Sequence, residues 1–126
     1  MTTPTVEYDP FERGVELFNQ RRYFEAHDAW EEMWLTAEDL VKKRFLQGLI
    51  MAAGAFLHYK KRNCAGASAL LSRSLELLVS IGSGQQGIRL ADFVASLAAL
   101  REEFHSCSFN VSLNDLPRIH LREVVH

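Results

Sequence analysis

His27 and Glu31 stand four residues apart, with Trp34 three residues further on. On a helix, residues at i and i+4 share a face. A carboxylate in that position can orient an imidazole for general acid–base work. The pair could also begin a metal site, but catalytic zinc takes three protein ligands and this spacing supplies two. It is His-x-x-x-Glu, not the His-Glu-x-x-His helix of zinc proteases. The Glu-x-x-His spacing of ferritin-like sites recurs at Glu102–His105 and Glu123–His126. The first closes a helix and the second ends the chain, so neither sits mid-bundle. No metal and no cofactor is expected, and no catalytic residue is assigned. The loop from Gly82 to Gly87 lacks the Lys-Ser/Thr ending of a phosphate loop. No serine or cysteine lies in a nucleophile motif.

The helix carrying the pair can be phased from its apolar residues. Tyr23, Trp30 and Trp34 centre a stripe, with Ala26 and Met33 on one flank. Glu25, Asp28 and Glu32 fall on the opposite, solvated face. His27 lies about 40° from the stripe centre and Glu31 about 80°, so both sit at its margin and Glu31 is expected to be partly covered. The next helix returns after a turn near Ala37. That sets His27 level with Gln47, and Glu31 level with Lys43. Gln47 is the only polar side chain in its run before His58. His58 lies eleven positions on, about 16 Å along the axis, too far for both to touch His27.

The candidate cluster is therefore His27, Glu31 and Gln47, with Trp30 and Trp34 beside it as core residues. His58, Lys43 and Asn63 are secondary. The expected role is a ligand- or partner-binding module that uses a polar crevice between helices two and three. One alternative is a small hydrolase or metal-dependent enzyme using His27 and Glu31. Another is a purely structural cluster in which a marginal His and Gln satisfy each other and a nearby carbonyl.

The elements that must position these residues are helical. Only three prolines occur, Pro4, Pro10 and Pro117, and the long stretch between the last two has helical apolar spacing. Asp9-Pro10-Phe11-Glu12 reads as a capped start for helix one, which runs to about Phe18. Helix two runs from about Tyr23 to Leu35. Thr36 to Asp39 signals the cap of helix three, which runs to about Arg62. Asn63 to Gly66 is expected as a break, helix four covers about 67–81, and helix five about 89–105. Phe109 to Leu113 is the only alternating segment, and one segment cannot make a sheet. The fold class is all-α: a single-domain bundle of about five antiparallel helices, with an arm at 1–8, the bundle at 9–105 and an extended tail at 106–126. Helix three is apolar almost all round, from Phe45 to Leu57, which places it at the centre.

Composition agrees with this class and excludes others. The chain has 126 residues, 48% of them hydrophobic and 24% charged. That length suits one domain with a real core and no need for staples. The net charge of −2 provides no basic field, so nucleic acid is disfavoured as a partner. The clusters Arg21-Arg22, Lys42-Lys43-Arg44 and Lys60-Lys61-Arg62 read as solvated caps. The uncharged run Phe45 to Tyr59 spans roughly 22 Å, short of a hydrocarbon core of about 30 Å, so no membrane is expected. Cys64 and Cys107 form no Cys-x-x-Cys pair and are expected as two reduced thiols in a cytoplasmic protein. No signal peptide is visible before Asp9. The partner is an unidentified small ligand or protein, and a homo-oligomer is left open.

A family resemblance overlaps this cluster. Leu17-Phe18-Asn19, then Tyr23-Phe24-Glu25-Ala26-His27, then Glu31 and Trp34 resemble one family signature. Phe45-Leu46-Gln47-Gly48-Leu49-Ile50 resembles a second, and His58, Asn63 and Gly66-Ala67 a third. The chain, from about Phe11 to Leu78, is similar to the small bacterial and archaeal helical proteins of domain-of-unknown-function family 309. The resemblance implies a helical bundle with His27, Glu31, Trp34 and Gln47 at signature positions, and it implies no activity. One departure stands out: Arg21 or Arg22 occupies the place where the family has Gly in the first turn, so this turn must be made without that glycine.

Overall fold

The structure is a computed structural model that describes residues 9–82 and 87–122. The arm at 1–8, Gly84 of the glycine-containing loop, and the pair Glu123 and His126 lie outside the described residues. The helices are α1 (Pro10–Asn19), α2 (Tyr23–Thr36), α3 (Leu40–Lys60), α4 (Cys64–Ser80), α5 (Leu90–Ala99) and α6 (Arg101–Ser106). A single 3-10 turn follows at Leu113–Asp115. No strand forms among the described residues, and Ile88 and Leu121 make one isolated bridge. The protein is an all-α bundle.

Helix starts follow local capping chemistry. The Asp9 carboxylate accepts from the Phe11 N–H at 2.9 Å, with Pro10 in the first turn. Asp39 does the same for Val41 at 2.9 Å and opens α3. Asn63 caps α4 by accepting from the Gly66 N–H at 3.1 Å. That last cap corrects the expected break: Cys64 to Gly66 is the first turn of α4, and the break is confined to 61–63. The expected fifth helix is present as two segments, α5 and α6. They are divided at Leu100, whose N–H turns back to the Leu97 carbonyl at 3.0 Å.

The first turn solves its missing glycine by strain and compensation. Arg21 sits in the left-handed region, φ +66, which costs energy for a residue with a Cβ. Its guanidinium donates to the Asn114 carbonyl at 2.7 Å and reaches that of Pro117 at 3.5 Å. The side chain that strains the turn thus also ties down the C-terminal tail. Asn19 adds a two-way bond to Ile119, 2.9 Å as donor and 2.8 Å as acceptor. Tyr59 adds another: its hydroxyl donates to the Val111 carbonyl at 2.8 Å and accepts from the Val111 N–H at 3.1 Å. Burial pushes the Tyr59 phenol above its ordinary 10.0. Burial does the same at Tyr23, against an opposing pull from the Arg21 guanidinium, which is near but outside hydrogen-bond geometry. The expected extended tail is therefore a strap docked on α1, α3 and the first turn.

The core is one cluster, and Phe18 is its hub. Phe18 is fully buried. Its ring lies 5.2 Å from Tyr23 and 5.8 Å from Trp30 on α2, 5.5 Å from Phe56 on α3, and 5.7 Å from Phe93 on α5. Helix α3 packs most extensively on α4, then on α2. The α3–α4 approach is close because Gly48 has no side chain: a Cβ there would lie 2.6 Å from Leu78 Cδ2. Ser74, the buried polar residue of the core, donates to the Gly48 carbonyl at 2.6 Å across this contact. As expected, α3 lies at the centre of the packing. No helix among the described residues is long and apolar enough to cross a membrane.

The thiols differ from expectation. Cys64 and Cys107 are bonded as a disulfide, with Cα atoms 5.5 Å apart. The physical reason is tertiary: α6 packs on α4 and brings its C-cap to the first residue of α4, a proximity that linear separation hides. Closing 43 residues of chain removes roughly 4 kcal/mol of unfolded-state freedom in the chain-entropy account.

Removing the hub should be severe. Phe18→Ala is expected to lower the unfolding free energy by about 3–5 kcal/mol in urea titration, as cavity formation in a well-packed core does. A loss under about 1 kcal/mol would contradict Phe18 as the pivot of the packing.

Candidate functional site

Three anchors on α2 set the orientation of the site. Tyr23, Ala26 and Trp30 are buried. The Trp30 indole fills the space over Gly14, where any Cβ would collide with it, and its Nε1 donates to the Phe11 carbonyl at 3.3 Å. Trp34 is half-buried, with an Nε1 that is enclosed and makes no hydrogen bond. The stripe read from the sequence is thus the inward face of α2.

His27 and Glu31 meet at the margin of that face. His27 Nδ1 and a Glu31 carboxylate oxygen are 3.4 Å apart. The approach is an ion-pair distance but not hydrogen-bond geometry, and the enclosed Nδ1 has no hydrogen-bond partner. The His27 side chain is 34% exposed and that of Glu31 48%. Glu31 is therefore no more covered than Glu25, at 46%, which corrects the expectation of a partly covered carboxylate.

Asp28 joins this pair. His27, Asp28 and Glu31 each offer one ligand atom, and these atoms lie within 4.8 Å of one another. Asp28 is exposed, as the helix phase requires, but its solvated face adjoins the margin rather than opposing it. The sequence signal was present: Asp28 and Glu31 are i and i+3, a spacing that also makes neighbours on a helix. A concavity of about 380 Å³ is lined by Asp28, Ala29, Glu31, Glu32 and Leu35. The described lining of this hollow comes wholly from α2, on its outer side.

The other candidates separate from the pair. Gln47 is half-buried on α3 and makes no hydrogen bond to His27 or Glu31. Being level along the axis was not enough to make them meet. Lys43 does not pair with Glu31; its Nζ stands 4.8 Å over the Trp34 ring, a cation–π contact. His58 and Asn63 pair with each other at 3.0 Å under the α4 cap. Glu102 and His105 lie on α6, both exposed.

Comparison with known proteins bears on this face directly. The family described as "Domain of unknown function (DUF309)" matches residues 11–70. Those residues carry the DUF309 resemblance. The match spans α1 to α3 and the first part of α4, and so contains Phe18, His27, Asp28, Glu31, Trp34 and Gln47. It stops short of Leu78, inside α4. The chain is also similar to the uncharacterized protein YpuF of Bacillus subtilis (strain 168), 38% identical over 64 residues. That stretch is 51% of this chain and 37% of the relative, so the chain matches well under two thirds of the relative's length.

If His27 and Glu31 held the bundle together, replacing them would be costly. Half-exposed and unbonded, they should not be. His27→Ala and Glu31→Gln are each expected to change unfolding free energy by less than about 0.5 kcal/mol in guanidinium titration. A loss of about 2 kcal/mol or more in either would assign the pair to structure.

Proposed function

We propose that the protein is a binding module whose ligand at α2 is a divalent transition-metal cation. The observation that carries this reading is the His27–Glu31 geometry. Two donors on a tetrahedral zinc ion, each about 2.1 Å from the metal, are held about 3.4 Å apart. The His27 Nδ1 to Glu31 oxygen separation is 3.4 Å. An enclosed imidazole nitrogen without a hydrogen bond is the state a metal would relieve. Asp28, exposed and with a ligand atom within 4.8 Å of the other two, would become the third donor after a turn of its side chain.

One imidazole and two carboxylates suit zinc, and also iron or manganese. Three protein donors leave a coordination position for water or a further ligand. The role assigned is binding. Binding needs the imidazole deprotonated at the ligating nitrogen, so protons and metal compete for His27.

Isothermal titration of zinc chloride into untagged protein, with the disulfide intact, tests the reading. One zinc per chain is expected, with affinity lowered by more than tenfold in both His27→Ala and Glu31→Gln. Zinc binding that is absent, or unchanged in both variants, contradicts it.

A further inference from the structure

We propose that the Cys64–Cys107 disulfide is a redox-exchangeable tie, opened by a dithiol reductant, that controls how the segment 108–113 docks on the corner between α3 and α4. A bundle with a full hydrophobic core does not depend on a staple, and a single accessible disulfide in such a chain suits exchange rather than permanence. The two sulfurs are placed asymmetrically. Cys107 is exposed, at the left-handed C-cap of α6, φ +64. Cys64 is partly buried at the first residue of the 17-residue α4, where the helix N-terminus stabilises negative charge.

That asymmetry assigns the steps. One thiolate of the reductant attacks Cys107 Sγ. The Cys64–Cys107 bond breaks, and Cys64 leaves as a thiolate with the bonding electron pair and takes a proton from water. A mixed disulfide remains on Cys107. The reductant's second thiolate then attacks the reductant's own sulfur in that bond and expels Cys107 as a thiolate, which is protonated in turn. The protein gains two electrons and two protons, and the reductant leaves as its disulfide.

The tie anchors a strained segment. Arg62 (φ +61), Cys107 and Phe109 (φ +52) are all left-handed and lie around the bond, which places conformational strain beside it. The Glu103 carboxylate accepts from the Ser108 hydroxyl and the Asn110 N–H. Phe109 packs on Tyr59 at 5.1 Å and under the Arg62 guanidinium at 5.3 Å. A concavity of about 260 Å³ lies between Tyr59, Lys60 and Arg62 on one side and Phe109, Val111, Ser112 and Leu113 on the other. Opening the tie removes the covalent anchor of one wall and leaves it held by the Tyr59–Val111 bonds and the Phe109 contacts.

The test uses the full chain in oxidised and reduced dithiothreitol buffers, with thiol alkylation read by mass spectrometry and amide exchange followed by peptide. Full reduction without denaturant is expected. It should come with amide exchange in 108–113 faster by on the order of tenfold, while α2 and α3 stay protected. A monothiol distinguishes the sulfurs: brief treatment of the oxidised chain with reduced glutathione, quenched in acid, should leave the mixed disulfide on Cys107 rather than on Cys64. Failure to form the bond in oxidised buffer would overturn the proposal. So would reduction only in denaturant, equal exchange of 108–113 in both states, or a mixed disulfide found mainly on Cys64.

Discussion

The packing of Phe18 against Tyr23 and Trp30 is the contact on which the rest of the molecule depends. Those two α2 residues are seven apart, two turns on one face, and both rest on the same ring. Two contacts so spaced fix the rotation of α2 about its axis. Trp30 can reach this depth only because Gly14 leaves room and the Phe11 carbonyl receives its N–H. Once α2 is locked, His27 and Glu31 have no choice but the margin, and Asp28 falls just outside it. The same ring reaches Phe56 and Phe93, so the site's orientation and the bundle's assembly share one pivot.

Much of this was legible in the sequence because it is local. Helical period, the Asp9 and Asp39 caps, and the all-apolar run of α3 each depend on residues within a few positions. So does the shared face of His27 and Glu31. What was not legible depends on rotation or on distant chain. Gln47 was placed level with His27, but axial level says nothing about which way α3 is turned, and the two do not bond. Lys43 was set opposite Glu31 and instead covers Trp34. Asp28 was assigned to solvent and is exposed, yet its ligand atom lies within 4.8 Å of those of His27 and Glu31, because residues at i and i+3 are neighbours on a helix. The Cys64–Cys107 bond joins residues 43 apart, and only the packing of α6 on α4 brings them together.

The missing glycine in the first turn shows how a local departure is absorbed at long range. A left-handed Arg21 is a cost that the helix pair alone would bear. Here the guanidinium meets carbonyls of Asn114 and Pro117, about a hundred residues away, and Asn19 beside it holds Ile119. The turn and the tail therefore stabilise each other. This couples the part of the chain that matches DUF309 to the part that does not.

The metal reading rests on three donor atoms of one helix, and locating the ion is its most direct measurement. Crystals of the untagged protein grown with zinc and measured on both sides of the zinc absorption edge would locate it. The account predicts an anomalous peak about 2.1 Å from the His27 imidazole nitrogen, with Glu31 and Asp28 oxygens completing the protein ligands. A map with no peak at α2, or with zinc bound only at other histidines, would contradict it.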